Sequence, residues 1–328
     1  MKRLSIIVPM YNSAQFLPKC LDSLVNQDIP SDSYEIILVN DGSPDQSLQI
    51  ADQYAGRYSN IVVLSQENKG TSGARDMGIR YASGEYLYFV DPDDYILENS
   101  LSEILQIVEN ESLDVLRFRY AEVDENYAPT RSCKHPEQPD YSPAVLDGYS
   151  FMASRLGTAC YVWTYLFKTS LIKNNGIYFI EGDYFDDTPW LPRVLAKAQK
   201  VDSVDYVRHF YLIRSDSLVQ SKSTDAIKKK VNGQLFLIDE LQRQKDGTIN
   251  GKGIQWYEMM VASCVLSLLS LIGTYDFLNR KEYIKRLKEQ EVFPLSRYRK
   301  TGINHLKVLL INISPNLFCH LIHLNNLK

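Results

Sequence analysis

Four short apolar runs, each followed by loop residues, most constrain the fold of this 328-residue chain. They read RLSIIVPMYN, EIILVNDGS, NIVVLSQEN and EYLYFVDPDD, and each has the length of one buried strand. Helical patterns at 13–27, 45–58 and 72–82 separate these runs. Strands that alternate with helices predict an α/β fold whose sheet is parallel and buried on both faces.

Polar residues follow three of these predicted strands at the point where each strand ends. They are Tyr11 and Asn12, Asp41 and Gly42, and Asp91 and Asp93. In open α/β sheets, ligands bind at the carboxyl ends of the strands. Alternatively, such residues only end the strands and serve as turns or helix caps. Three such loops at one edge favour a binding site.

The sharpest motif is Asp91-Pro92-Asp93-Asp94, which places three carboxylates in four positions. Like charges this close raise one another's pKa values unless a positive group lies between them. That group could be a divalent cation or a basic side chain, and an exposed turn could instead depend on water. The oxygen ligands of Asp91 and Asp93 suit Mg²⁺ or Mn²⁺ holding a nucleotide diphosphate.

A second motif, NKGTSGARDMG, occupies residues 68–78. Gly70 and Gly73 precede Arg75 at the start of a predicted helix, an arrangement that can hold a phosphate or order a carboxylate. Alternatively, Arg75 pairs with Asp91 or Asp93 and ties this helix to the strand. The motif matches neither GxxxxGK[ST] nor GxGxxG, which disfavours P-loop kinases and dinucleotide-dependent dehydrogenases.

A third motif, EGDYFDDTPW, occupies residues 181–190. Asp186 and Asp187 precede a Thr-Pro helix start, so they are typical of a capping cluster at a helix N-terminus. Alternatively, a carboxylate at this place serves as the general base for an acceptor hydroxyl.

Charge and cysteine content exclude some classes of protein. The formal net charge of −4 gives no sign of a nucleic-acid partner. The five cysteines are widely spaced and form no CxxC pair, which indicates a reducing, cytoplasmic environment. The apolar run that stops at Pro9 is too short for a signal peptide, and the run at 261–274 is too short to span a bilayer.

The last segment, residues 292–328, contains five Lys and Arg residues and no acidic residue. Its apolar positions follow one helical face, which Pro315 interrupts. This composition is typical of a helix lying on an anionic membrane surface, here the inner face of the plasma membrane. The alternative is a terminal helix docked on the core or on a second subunit.

Taken in order, the motifs resemble those of the family 2 inverting glycosyltransferases, in particular the bacterial surface-polysaccharide type. The resemblance covers residues 3–220 and rests on VPMYN, VNDGS, NKGTSGARDMG, VDPDD, YVWTYLFKTSL, FDDT and the RSDS at 214–217. It implies a GT-A fold, a Rossmann-like and mostly parallel sheet flanked by helices. The implied parts are a nucleotide-sugar-binding half at 1–105, an acceptor-binding half at 106–222 and a helical C-terminal region at 223–328.

The resemblance also implies a role for each matching residue. Asp187 would be the catalytic base, Asp93 would coordinate the metal, and Asp91 would reach the ribose or a metal-bound water. Trp163 and Asp186 would lie on the acceptor side. The implied contacts to the nucleotide sugar are Pro9, Tyr11, Asn12, Asp41, Gly42, Lys69, Gly70, Arg75, Asp91, Arg214 and Ser217.

Two positions depart from the family pattern. Asp76 stands where asparagine is common, and Pro92 stands where a small residue is usual, so the metal geometry stays open. His209 approaches the metal in some enzymes of this kind. The alternative is a buried or surface histidine on a strand.

The implied reaction is a metal-dependent transfer of a hexosyl or N-acetylhexosaminyl group, with Mn²⁺ or Mg²⁺ as cofactor. The donor would be a UDP-sugar, and the acceptor a hydroxyl of a glycan or a lipid-linked oligosaccharide. A sugar nucleotidyltransferase is disfavoured because VPMYNSAQ is not a glycine-rich, arginine-containing loop. A degenerate, non-catalytic binding module is disfavoured because Asp41, Asp91, Asp93 and Asp187 are all present. The oligomeric state is left open.

Overall fold

A computed structural model describes residues 2–130, 144–180, 185–214, 222–275, 278–295 and 302–326. Contacts divide the chain into two compact units. The first unit comprises Met1–Gly182 and Asp186–Ser215, and the second comprises Asp183–Phe185 and Asp216–Lys328. The boundaries expected near residues 105 and 222 stay predictions.

One sheet forms the centre of the first unit. Its strands are β1 Leu4–Met10, β2 Tyr34–Asn40, β3 Ile61–Ser65, β4 Tyr86–Phe89, β5 Tyr95–Ile96, β6 Val115–Val123, β7 Tyr165–Lys168 and β8 Val201–Leu212. They lie in the order β3-β2-β1-β4-β7-β6-β8-β5. All pairs among β1 to β4 are parallel, as is the pair β6 and β8, whereas β7 and β5 run antiparallel to their neighbours. The predicted α/β fold with a mostly parallel sheet is confirmed.

Helices cover this sheet, which is why every residue of β1 and β2 is buried. The helices of the first unit are α1 Leu17–Val25, α2 Ser47–Ala55, α3 Gly70–Tyr81, α4 Leu101–Asn110, α5 Gly148–Phe151, α6 Thr169–Asn174 and α7 Asp187–Leu195. The three helices predicted from the first hundred residues are all present, with shifted ends.

The start of α1 shows why one boundary shifted. The backbone N–H of Ser13 donates to Ser47 Oγ at 2.9 Å, and that of Ala14 donates to Asp45 Oδ2 at 2.9 Å. These bonds hold the loop after β1 against the start of α2, so the helix begins at Leu17 rather than at Ser13. The local pattern could not indicate a partner more than thirty residues away.

The second unit is helical, as predicted. Its helices are α8 Thr224–Asp246, α9 Gly251–Thr274, α10 Arg280–Glu289, α11 Gly302–Ile313 and α12 Pro315–Asn326. Pro315 divides the tail into two helices and is the first residue of α12, where a missing N–H costs little.

Helix α9 corrects one expectation. The apolar run at 261–274 is part of a 24-residue helix, so in the described part of the chain α9 is long and apolar enough to cross a membrane by length and composition. However, 56% of its most apolar window is buried within the protein, as in the core helix of a globular unit. This feature is therefore weak support for a membrane span.

We expect Gly78→Ala to destabilise the first unit by about 1–3 kcal/mol, because a Cβ at this position of α3 would lie 2.4 Å from Cγ2 of the buried Ile7 in β1. The matched control is Gly56→Ala, where the nearest atom to the new Cβ is 3.5 Å away. Urea unfolding of both variants measures the difference. Equal stability of the two variants would show that α3 does not need this close approach to β1.

Candidate functional site

Three loops meet at the carboxyl ends of β1, β2 and β4. Met10 and Asn40 are partners in the parallel register of β1 and β2, and Asp41 N donates to Met10 O at 3.0 Å. The pairing of β1 with β4 ends at Ile7 and Phe89. Beyond that point the chain after β4 leaves the sheet, and it enters the turn formed by residues 91–94, here called the aspartate turn.

Arg75 of α3 is the centre of the site. Gly78, three residues further along α3, packs on β1, and this packing places Arg75 on the same side, beside the sheet edge. Its guanidinium is buried, and it forms ion pairs with Asp91 at 2.9 Å, Asp186 at 2.9 Å and Asp187 at 2.6 Å. Residues from two distant motifs are thus brought together on one side chain. The predicted tie between Arg75 and the strand is present for Asp91.

The three carboxyl groups around Arg75 can carry more negative charge than its single positive charge balances. Burial, Asp186 and Asp91 raise the pKa of Asp187 to about 8, and Arg75 opposes this shift. One Asp187 oxygen also accepts a hydrogen bond from the backbone N–H of Val162 at 3.2 Å. A carboxyl group with a pKa near neutrality can exchange a proton in this range, which is what a general base requires.

Asp93 points to a different partner. Its Oδ2 lies 2.8 Å from Nη2 of Arg214, whose guanidinium also stacks over the ring of Phe16 at 4.5 Å. Burial and the neighbouring charges of Asp94 and Asp91 raise the pKa of Asp93 to about 7, and Arg214 counteracts them. The two carboxylates predicted to bind metal, those of Asp91 and Asp93, therefore both have arginine partners.

The predicted nucleoside side is assembled around Asp41. This buried carboxylate accepts hydrogen bonds from Lys69 N at 2.8 Å and from Gln66 Nε2 at 2.7 Å. Gly42 and Gly70 both have positive φ, 69° and 76°, which lets the two loops turn beside each other. The contact of Gln66 with Asp41 was not predicted, although Gln66 lies two residues before the second motif.

The three residues predicted to contact the nucleotide sugar at the end of β1 differ in their solvent exposure. Pro9 is buried within β1 and is the register partner of Val39. Tyr11 is exposed, and Asn12 adopts a left-handed conformation with φ 51°. Of the three positions predicted in this loop, Tyr11 and Asn12 expose their side chains to solvent, whereas Pro9 does not.

Trp163 lies within an aromatic stack and is only 5% exposed. Its ring stacks with Tyr161 at 5.0 Å, with His209 at 4.6 Å and with Tyr211 at 5.4 Å. Tyr161 is the exposed member of this group at 43%, so it offers the accessible aromatic surface on the side predicted for the acceptor. Ser217, predicted near the diphosphate, lies outside the described residues.

The carboxylates fit a particular kind of metal binding. Among the described residues, no group of three or more His, Cys, Asp or Glu side chains could hold a metal ion. Mg²⁺ and similar cations often use one or two carboxylates together with substrate phosphates and water. Asp91 and Asp93, partly exposed at 25% and 23%, are suited to that second mode.

Comparison with known proteins identifies the family. The family model described as glycosyl transferase family 2 matches residues 5–155. Glycosyltransferase GlyG of Streptococcus pneumoniae serotype 4 is 31% identical over 67% of this chain and 73% of GlyG. The chain belongs to glycosyl transferase family 2, as the ordered motifs indicated.

A second relative and one solved structure extend this comparison. The uncharacterized glycosyltransferase EpsJ of Bacillus subtilis strain 168 is 33% identical over 66% of this chain and 62% of EpsJ. The crystal structure of S. aureus TarS 1–349 in complex with UDP-GlcNAc matches with a TM-score of 0.65 and 19% identity, over 96% of this chain and 92% of that one. This likeness confirms the GT-A fold. The chain spans 33–63% of the lengths of EpsJ and two further relatives.

We expect Arg75→Met to destabilise the protein by about 3–5 kcal/mol, because it leaves Asp91, Asp186 and Asp187 crowded without their counter-charge. The loss should be larger at pH 8 than at pH 5, since the carboxyl group of Asp187, whose pKa is raised to about 8, is more fully ionised at the higher pH. Urea unfolding at both pH values measures it.

The matched control is Arg3→Met, which removes an exposed ion pair to Glu109 and should cost at most about 1 kcal/mol. Adding Asp187→Asn to Arg75→Met should recover part of the lost stability. If Arg75→Met costs no more than Arg3→Met, the carboxylates do not depend on Arg75.

Proposed function

We propose that the protein is an inverting glycosyltransferase that moves a sugar from a UDP-sugar to a hydroxyl group of a glycan or lipid-linked acceptor. One observation carries this proposal. In a chain of this family, the buried Arg75 gathers Asp91 of the aspartate turn and Asp187 of the third motif within one site. The donor-side and base-side carboxylates are thereby adjacent.

The donor would bind at the carboxyl ends of β1, β2 and β4. Asp41 is fixed by Gln66 and Lys69 N, and its carboxylate can accept a hydrogen bond from the nucleobase. Arg214 lies beside Asp93, where a guanidinium can bind a diphosphate in bidentate fashion. The UDP-GlcNAc bound to the structurally similar TarS supports a uridine donor.

Asp91 and Asp93 would hold Mn²⁺ or Mg²⁺ together with the donor diphosphate. The metal, when bound, neutralises negative charge on the nucleoside diphosphate leaving group. Asp187 would accept the proton of the acceptor hydroxyl as that oxygen attacks the anomeric carbon from the face opposite the leaving group. A single displacement inverts the configuration, so a second nucleophile is not required.

The acceptor would approach from the side of Tyr161 and Trp163. Asp187 accepts a hydrogen bond from Val162 N, between these two rings in sequence, so the base and the aromatic surface adjoin. Aromatic rings pack against the apolar faces of sugars, which supports a glycan acceptor. We place the reaction in the synthesis of a bacterial surface polysaccharide.

The test is release of nucleoside diphosphate from a panel of nucleotide sugars, with and without Mn²⁺. We expect metal-dependent release from one donor, with kcat/KM rising as the pH increases through about 8, because Asp187 acts as a base only when deprotonated. Asp187→Asn should lower kcat about 10²–10⁴-fold and abolish this pH limb.

The matched control is Asp205→Asn, an exposed carboxylate that pairs with Arg119 on β6 and should leave the rate unchanged. Pyrophosphate release from a nucleoside triphosphate would instead identify a nucleotidyltransferase. Tight UDP-sugar binding without turnover, even with glycan acceptors added, would identify a binding module.

We also propose that the protein lies on the inner face of the plasma membrane through its C-terminal helices. Six large apolar side chains on α11 and α12 recur every three or four residues and are 44–70% exposed. This apolar stripe consists of Leu306, Leu309, Ile313, Leu317, Leu321 and Leu324. The stripe continues across the boundary at Pro315, so the two helices present one apolar surface.

The opposite face of these helices is buried within the second unit. Val308, Ile311 and Phe318 are buried, and Cys319 Sγ donates to Leu269 O of α9 at 3.4 Å. The helices are thus fixed on α9 with the stripe turned outward. Together with the basic residues and the absence of acidic residues from 292–328, this favours an anionic lipid surface.

We expect the protein to sediment with vesicles that contain phosphatidylglycerol. The variant Leu309→Gln/Leu317→Gln/Leu321→Gln should bind at least about tenfold more weakly, because three side chains no longer bury apolar area in lipid. The control Ile249→Gln changes an exposed apolar residue outside the stripe and should bind normally. A wild-type dimer that this triple variant dissociates, without any vesicle binding, would make the stripe a subunit interface.

A further inference from the structure

A buried hydrogen-bond network lies behind the aspartate turn. Asp94, the last residue of the turn, is 1% exposed, and its Oδ2 lies 2.8 Å from Nε2 of His209 on β8. The other ring nitrogen of His209, Nδ1, lies 3.0 Å from the hydroxyl of Tyr88 on β4. Tyr88 and His209 are both fully buried. None of the roles described above uses this network.

Both ring nitrogens of His209 take part in hydrogen bonds. Burial lowers the pKa of His209 to about 3, so the imidazole is neutral and carries one N–H. In either tautomer, Nε2 is hydrogen-bonded to Asp94 and Nδ1 to the hydroxyl of Tyr88, with one nitrogen donating and the other accepting. Both nitrogens are therefore committed, and neither has a free lone pair for a metal ion.

Asp94 is held from a second direction as well. Its Oδ1 accepts from the backbone N–H of Leu212 at 2.9 Å, and its own N–H donates to Asp91 O at 3.0 Å. Asp94 is adjacent to Asp93 in the chain, so these bonds determine where the turn places the Asp93 carboxylate. The ring of His209 is in turn held by its stack with Trp163, at 4.6 Å.

We propose that His209 is a positioning residue that holds the aspartate turn through Asp94, so that Asp93 is preorganised for a cation, and that His209 itself is not a metal ligand. This inference rests on the proposed function, since it assigns the Asp93 carboxylate to a metal-bound nucleotide. The side chain of Asp94 thereby differs from those of Asp91 and Asp93, because its hydrogen-bond partners lie in β8 rather than in the site.

The test measures binding of Mn²⁺ in the presence of UDP, using the electron paramagnetic resonance signal of free Mn²⁺. His209→Phe keeps an aromatic ring but removes the hydrogen-bond partner of Asp94, and it should weaken Mn²⁺ binding about tenfold or more. His209→Gln retains a polar group that can hydrogen-bond to Asp94 and should bind Mn²⁺ with wild-type affinity. Tyr88→Phe removes only the hydroxyl that fixes the ring and should weaken binding by a few fold.

The control is His320→Gln, which changes an exposed histidine of α12 and should leave Mn²⁺ binding unchanged. Thermal unfolding of each variant identifies any that fail to fold. If His209→Phe does not fold, the test depends on the difference in Mn²⁺ affinity between Tyr88→Phe and His209→Gln, because each of these two substitutions is a small change.

Three results would overturn the inference. The first is an electron spin-echo signal of ¹⁴N coupled to Mn²⁺ in the wild-type complex, which would make His209 a ligand. The second is a loss of Mn²⁺ affinity in His209→Gln that is as large as the loss in His209→Phe or Tyr88→Phe. The third is wild-type Mn²⁺ affinity in both His209→Phe and Tyr88→Phe. A wild-type protein that binds no Mn²⁺ with UDP would overturn the proposed function and this inference together.

Discussion

The buried ion pairs of Arg75 are the interaction on which the rest of the site depends. One guanidinium contacts carboxylates that lie sixteen and more than a hundred residues away in sequence. Without such a cation, three carboxylates could not be ionised together in so small a volume. The pairs bring the start of α7 next to the aspartate turn, and they do so only because Gly78 lets α3 approach β1 closely. Gly78 and Arg75, both in the interior of α3, thus act together to position the carboxylates.

Much of the first unit could be predicted because its signals are local. An apolar run such as Ile36–Val39 can be buried on both faces only in a covered sheet, and the helices between the runs make that sheet parallel. The antiparallel strand β7 could not be derived in this way. Its place between β4 and β6 depends on pairings such as Leu87 with Phe167, which join segments eighty residues apart. The length of α9 was also missed, because the apolar run covers only its second half.

In the site, too, contacts between residues distant in sequence could not be predicted. Asp91 and Asp93 were predicted from their place at a strand end, and Asp187 from a motif at a helix start; the fold brings Asp91 and Asp187 together on Arg75. The pairing of Arg75 with Asp91 was one of the alternatives offered by the sequence, but the other partners that fix the carboxylates of the site were not predicted. Gln66 reaches Asp41 across a gap between two loops, and His209 reaches Asp94 from β8, 115 residues away. Trp163 was predicted to contact the acceptor, yet the fold buries it and leaves Tyr161 exposed. Long-range contacts, not residue types, decide these roles.

The charges of the site bear on how a donor could bind under the proposed function. Two guanidinium groups face four carboxyl groups, those of Asp91, Asp93, Asp186 and Asp187. A diphosphate adds further negative charge, and Arg75 is already committed to three of these carboxyl groups. Arg214 is paired with Asp93, so a phosphate would compete with this carboxylate for the guanidinium. A divalent cation held by Asp91 and Asp93 would neutralise the Asp93 carboxylate and leave Arg214 for the phosphate. This charge balance supports the proposed metal, in addition to the motif that first indicated it.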